Sequence, residues 1–341
     1  MGRSFSIREI ARQAGVSDAT VDRVLHRRPA VRRGTVDQVE QAIRDLEAQR
    51  TQLALSGRRF MIDVVVDAPV RFHTAVRQAL EAELPLLGPA VFRARFQLHE
   101  RWNVADCVAG LDRIRARGSQ GVVLKAPDVS EIATAVDRLA QAGVPVVTLV
   151  TDLPGSRRSA YVGIDNRSAG ATAAYLLSQW LRDRPGSVAV TVSSDFFRGE
   201  EEREMGFRAA MRSIDPARRV QYLPGNDGLD ATAHRLMAAA IAADPALAAV
   251  YSSGGGNRGI VQAFEGAGRS LDAFIGHDLN SDNVALLRSG RLNAVLHHDL
   301  RQDVRRCCRI IMQEHGALAG TDGTSPSQTA VVTPFNIPAG L

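Results

Sequence analysis

The sequence predicts an N-terminal all-α helix-turn-helix headpiece followed by an α/β body of two lobes, each a doubly wound parallel sheet. Three observations predict it. At 341 residues the chain is too long for one ordinary core. The first 49 residues carry apolar positions at helical spacing, whereas beyond Phe60 ten short apolar runs alternate with helical segments. Charge is also segregated: residues 1–59 hold twelve Arg against seven acidic residues, and residues 60–341 balance thirty against thirty. The whole net charge of +5 therefore sits on the first sixth of the chain, where a polyanion such as DNA would meet it.

In the headpiece, Ser6 is an N-cap with Glu9 three residues later, a capping box that opens a short helix with Ile7, Ile10 and Ala11 on one face. Gly15 supplies the left-handed residue that a helix C-terminus favours, and Ser17 caps a second helix over about Asp18–Arg27, which Pro29 ends. A third helix over about Thr35–Gln49 places Val36, Val39, Ile43 and Leu46 together. Two helices joined by a tight glycine turn form the helix-turn-helix unit, whose second helix enters the major groove. Ala11 is small enough for the helices to cross closely.

The segment from Ser6 to Leu25, with Arg28-Pro29-Ala30-Val31, Thr35 and the Val39, Ile43, Leu46 helix after it, resembles the headpiece of the LacI/GalR family of bacterial repressors. The resemblance implies that Asp18 and Ala19 face base edges, with Arg23 one turn further along, that Ser6, Ser17 and Thr20 contact phosphates, and that His26 lies near the DNA backbone. Asp18 could accept from a cytosine amino group. Asp22 replaces the serine usual in the family; a carboxylate facing DNA is costly, so it is expected to pair with a neighbouring Arg. Residues 50–59 are expected to be the hinge, which in the family wedges leucine into the minor groove. Here the wedge register falls on Gly57, leaving Leu53 or Leu55, and a plain flexible linker is the alternative.

The body, residues 60–341, has β-branched, continuously apolar runs such as Met61–Val66, Gly121–Leu124, Pro145–Val150 and Val188–Val192, which suit strands buried on both faces. Helices are expected between them, at 105–117, 129–142, 168–181 and 232–243, and the tail after Thr321 reads as loop with a final edge segment. Tyr161-Val-Gly-Ile-Asp-Asn166, Arg203-Glu-Met-Gly-Phe207 and Ile275-Gly-His-Asp278 make the body resemble the sugar-binding, periplasmic-binding-protein-like fold that LacI-family regulators share. Ligands of such folds bind at the carboxyl ends of the strands, in the cleft between lobes. The resemblance implies an effector site of Phe72 and His73 as a stacking pair, Asp152 (or Val150) as acceptor, Arg203 as a forked donor, and Ser253 or Asn257, Asp278 and His298 as the polar wall. Asp152 precedes Leu-Pro and could equally fix a turn, and His298 could be strand-end surface.

The expected partners are double-stranded operator DNA, a sugar or polyol-like effector and a second copy of the chain, with no cofactor, no catalysis and no metal. Without an apolar leader or an eighteen-residue apolar run the chain is expected in the cytoplasm, away from membranes. Cys107, Cys307 and Cys308 read as buried, idle thiols. The rival reading is Gly254-Gly255-Gly256-Asn257-Arg258-Gly259, which fits the dinucleotide fingerprint after a strand and would suit a nicotinamide-dependent oxidoreductase.

Overall fold

The headpiece is three helices, α1 (Ile7–Ala14), α2 (Asp18–Leu25) and α3 (Arg33–Leu55), in a computed structural model that describes residues 5–29, 31–192, 197–320 and 325–339. Ala30, part of the headpiece resemblance, lies outside the described residues. The capping box forms as the sequence implies: the Ser6 N–H donates to the Glu9 carboxylate (2.8 Å) and the Glu9 N–H to Ser6 Oγ (3.2 Å). Gly15 takes the left-handed conformation (φ 66°) and Ser17 caps α2. Ile10, Ala11, Ala14, Val21, Val39 and Ala42 close a small core.

Two boundaries differ from expectation. Helix α2 stops at Leu25 because Arg27 turns left-handed (φ 50°), so that its N–H reaches Val24 and the Arg28 N–H reaches Arg23; this double bond ends the helix before Pro29. Helix α3 does not end at Gln49 but runs through the first six residues of the expected hinge, until Gly57 (φ 76°) breaks the chain before the first strand. Leu55 is buried in the core of the body and is no free wedge, whereas Leu53 is 77% exposed.

The first lobe is a parallel sheet of β1 (Arg59–Asp67), β2 (Val91–His99), β3 (Gly121–Lys125), β4 (Val146–Leu149) and β5 (Ala160–Val162), in the order β2-β1-β3-β4-β5. Helices α4 (Val70–Glu83), α5 (Val104–Arg117) and α6 (Ser130–Gln141) cover it. The second lobe has β6 (Ser187–Thr191), β7 (Val220–Leu223), β8 (Leu247–Ser252), β9 (Ala273–His277), β10 (Ala294–His297) and β11 (Ala330–Val332), in the order β11-β10-β9-β8-β6-β7. Its helices are α7 (Asn166–Trp180), α8 (Arg198–Ile214), α9 (Asp230–Ala243), α10 (Asn257–Gly266) and α11 (Ser281–Arg288). All ten apolar runs become strands; β11, from the tail, adds antiparallel at the edge beside β10.

The chain passes between lobes three times. It crosses at 163–165 between β5 and α7, and again at 298–299, where β10 leads into α12 (Leu300–Glu314). Helix α12 returns to the first lobe, burying Val304, Cys307, Cys308 and Ile311 beside Phe60 and Leu80. The last crossing, which leads from α12 to β11, pairs with the first: Ile164 bridges Ser327, and the Ser327 N–H donates to the Gly163 carbonyl (2.7 Å). All three cysteines are buried and free.

Candidate nucleic-acid interface and interlobe cleft

On the headpiece, Ser6, Ser17, Asp18, Ala19, Arg23 and His26 are exposed and Thr20 is half-buried, its hydroxyl 2.8 Å from Ser17 Oγ. Asp22 pairs locally with Arg28 (3.3 Å) and lies 3.0 Å from the ring of His26. His26 is therefore engaged with its own helix, its Nδ1 also 2.9 Å from the Asp22 carbonyl.

A cavity of ≈ 2070 Å³ opens between the lobes and continues along α12 and the tail. Both lobes present the carboxyl ends of their strands to it, as open parallel sheets do. Phe72, Arg203, Ser253, Asn257, Asp278 and His298 all line it. Arg203 reaches it because α7 and α8 pack backbone to backbone: a Cβ on Gly170 would lie 1.9 Å from the Arg203 carbonyl, and one on Gly206 2.1 Å from that of Arg167. This contact brings Asn166, at the start of α7, against the guanidinium. Arg203, 3% exposed, donates from Nε to Asn166 Oδ1 (2.8 Å) and from Nη1 to the Ser253 carbonyl (3.0 Å). Its fork is thus held rigid in the wall.

Asp278 follows β9 in the left-handed region (φ 62°), as Val150 does after β4 (φ 67°), and both line the cleft. Such backbone is costly for residues with a Cβ and gathers at functional sites. Burial alone would push the Asp278 carboxyl up, but His298, Arg203 and His277 outweigh it and hold it well below the usual carboxylate range. Burial would likewise push His298 down; its bonds to Asp278 and Asp303 reverse that and pull it up to about 9. The pair is an imidazolium facing a carboxylate. Asn257 donates to Asn283 Oδ1 (2.7 Å) and leaves its own Oδ1 buried without a partner in the cleft wall.

Two expected residues are corrected. His73, one position and about 100° around α4 from Phe72, turns away from the cleft, is buried, and meets the His99 carbonyl (2.9 Å). Asp152 does not line the cleft: it holds Arg158 in a two-point ion pair, accepts from Thr148 Oγ1 (2.9 Å) and from the Leu153 N–H (2.8 Å), and so closes its own turn. Val150, the other candidate at that position, lines the cleft instead.

The sequence reading missed Lys125. It is the chain's sole lysine, at the end of β3, and its ammonium donates to the Asp67 carbonyl (3.0 Å) and lies over the rings of Phe197 (3.9 Å) and Phe72 (5.6 Å). Burial pushes it down to about 8, against the pull of Glu200 and Asp67. A lone lysine at a strand's carboxyl end was the signal available. Trp102, stacked on His99 at 3.9 Å, also lines the cleft unforeseen.

The glycines of Gly254–Gly259 serve contacts within the chain. A Cβ on Gly255 would lie 2.2 Å from the Arg71 guanidinium, and one on Gly259 2.0 Å from the Asp230 carbonyl of α9. The dinucleotide pattern is thereby accounted for by packing and by the cleft's own closure. Three side chains span the cleft mouth: Arg71 donates to the Gly228 carbonyl (2.5 Å), Arg101 pairs with Asp227, and Arg198 stands 3.6 Å from Asp128.

Residues 6–48 match the family described as bacterial regulatory proteins, lacI family, and residues 64–315 match the periplasmic binding protein domain. No curated protein matches the chain. Among solved structures, a glucose-galactose binding protein, GanP, from Geobacillus stearothermophilus is similar at 20% identity and TM-score 0.74, over 82% of this chain and 99% of that one. A solute binding protein from Burkholderia graminis C4D1M, in complex with D-arabinose, is similar at 18% and 0.73, over 84% and 98%. A structure described as a candidate LacI transcriptional regulator from Bacteroides fragilis is similar at 16% and 0.72, over 82% and 98%. These likenesses agree with the two-lobed fold. No helix among the described residues is long and apolar enough to cross a membrane.

Proposed function

Since the chain belongs to the lacI family of bacterial regulatory proteins and its body to the periplasmic binding proteins, we propose that it is a transcription regulator whose operator affinity is set by a small sugar or polyol bound in the interlobe cleft. It acts as a homodimer in the cytoplasm, reading a near-palindromic operator with two headpieces. Asp18 and Ala19 face base edges, Arg23 follows one turn on, and Ser6, Ser17 and Thr20 hold phosphates.

The observation that carries the effector reading is the donor and acceptor set of the cleft. Asp278 accepts, Arg203 and Lys125 donate, the orphan Asn257 Oδ1 calls for a donor, and Phe72 offers a ring face. A polyhydroxylated molecule supplies both donors and acceptors on a flat apolar skeleton, and the neighbours described with glucose, galactose or D-arabinose have this fold. The family is one of regulators rather than enzymes, and no observation favours hydride transfer at the Gly254–Gly259 loop.

Thermal denaturation with D-galactose, D-glucose and D-arabinose tests it. A ligand that binds the native state alone adds about 2.7 kcal/mol of stability at a hundred times its Kd. Arg203→Ala and Asp278→Ala should each lose about 2–5 kcal/mol of effector affinity, because each removes a charged group that would hydrogen-bond the ligand inside the cleft. Undiminished binding in both variants would show that the effector sits elsewhere.

A further inference from the structure

Asp278 faces the cleft, but its neighbours lead away from it in an unbroken chain. His298 stands with Nε2 3.5 Å from Asp278 Oδ1 and with Nδ1 in a hydrogen bond to Asp303 Oδ2. The other oxygen of Asp303 accepts from Ser327 Oγ (2.5 Å), and the Ser327 N–H donates to the Gly163 carbonyl (2.7 Å). Each link belongs to a different part of the frame. Asp278 follows β9 in the second lobe and His298 is the crossing into α12. Asp303 lies in the first turn of α12, which packs in the first lobe, Ser327 is on the last crossing, and Gly163 on the first.

We propose that Asp303 and Ser327 are positioning residues of the effector site: with His298 they form a strap that fixes the Asp278 carboxylate and ties it to all three crossings between the lobes. The inference rests on the cleft being the effector site. His298 and Asp303 are 3% and 2% exposed, so both oxygens of Asp303 and both nitrogens of His298 are committed inside the protein. A buried carboxylate with one oxygen on an imidazole and the other on a hydroxyl can neither rotate nor leave without stranding a partner. Asp278 is consequently held from behind, and a ligand that draws its carboxylate into the cleft pulls on the crossings at once. The groups facing the imidazole are Asp278 and His277 at the end of β9, His297 on β10 and Asp303 on α12; the two carboxylates favour its charged form, burial opposes it, and His277 and His297, pushed down by burial, are neutral above pH 6.5.

The test uses the full chain without ligand, so its failure is separate from failure of the sugars to bind. Histidine NMR, with His298→Gln to assign the resonance, reads the protonation of His298. Between pH 6.5 and about 9 the wild-type imidazole should stay charged, and Asp303→Asn should bring its midpoint down by about one unit or more. Hydrogen exchange in Ser327→Ala should accelerate by about tenfold in residues 325–329 and 275–280 together, as one coupled opening. Ser327→Thr, which keeps the hydroxyl, should restore both. If Asp303→Asn fails to fold, the Ser327 pair of variants decides. The proposal is overturned by a His298 midpoint equal in wild type and Asp303→Asn, or by exchange that rises at 325–329 while 275–280 stays unchanged.

Discussion

His298 keeps its proton where a free imidazole would have lost it, and the sign of that difference fixes a pH dependence. Its folded value is raised from 6.5 to about 9, so the stability it contributes is complete below 6.5 and is lost as pH rises towards 9. His73, His277 and His297 are pushed down by burial, so their folded forms are already neutral above 6.5. Lys125 has the opposite sign: its folded value of about 8 lies below the unfolded 10.5, and it adds stability only as pH climbs through that higher range. The window from 6.5 to 8 therefore isolates His298. Urea unfolding should show a loss on the order of 2 kcal/mol across it in the wild type and almost none in His298→Gln. An identical slope in both proteins would mean that the imidazole is not held charged. At this scale the sequence was partly legible. Ser253, Asn257, Asp278 and His298 reach the cleft because they follow strand ends, Phe72 in the first turn of α4 and Arg203 through the close packing of α7 on α8, whereas His73 and Asp152 were settled by a helix rotation and by a local arginine. Lys125 belonged to no motif, and its environment exists only once β1, β3 and α8 have come together.

At the scale of elements, the headpiece was the easier half to read because its signals are local. A capping box, a glycine turn and a second cap fix α1 and α2 within ten or so residues of chain, and the ten apolar runs fix the strands in the same way. The extent of α3 was harder. Thr51-Gln-Leu-Ala-Leu55 contains good helix formers, and what holds its end is Leu55 in the core of the body, a burial that no local pattern reports. Asp18 and Ala19 are exposed at the N-terminus of α2, while Asp22 is held by Arg28 and His26, and we propose that sequence choice rests on the first turn. Changing Asp18 to Asn or Ala19 to Gln should shift the preferred operator sequence by about 1–3 kcal/mol at one or two base pairs and leave affinity for random DNA nearly intact. Selection from a random duplex pool reads this directly; equal losses on selected and random duplexes would remove both residues from base reading.

The whole molecule separates its two chemistries. The excess positive charge lies on the headpiece and the body is neutral overall, so an uncharged effector in the cleft has no long-range electrostatic route to DNA. Its influence has to travel as a change in the arrangement of the lobes, and Leu55 makes that route continuous: the helix that leaves the headpiece ends inside the first lobe. The arrangement is set by the cross-cleft contacts. Arg71 on Gly228, Arg101 on Asp227 and Arg198 near Asp128 join the lobes, and Gly255 is bare where the Arg71 guanidinium passes. Each ties a first-lobe residue to a second-lobe one, so removing them is expected to lower the population of the closed arrangement while leaving Asp278, Arg203 and Asn257 in place. Arg71→Ala and Asp227→Asn should therefore enlarge the radius of gyration measured by X-ray scattering of the ligand-free chain. Effector affinity should weaken by the same factor as the closed fraction falls, at most about fivefold for a loss near 1 kcal/mol. Saturating ligand should return the radius to the wild-type value, since binding draws from the closed population whatever its size. A radius that is unchanged in both variants would show that the lobes are held by the crossings themselves and that the arginines at the mouth merely decorate the surface.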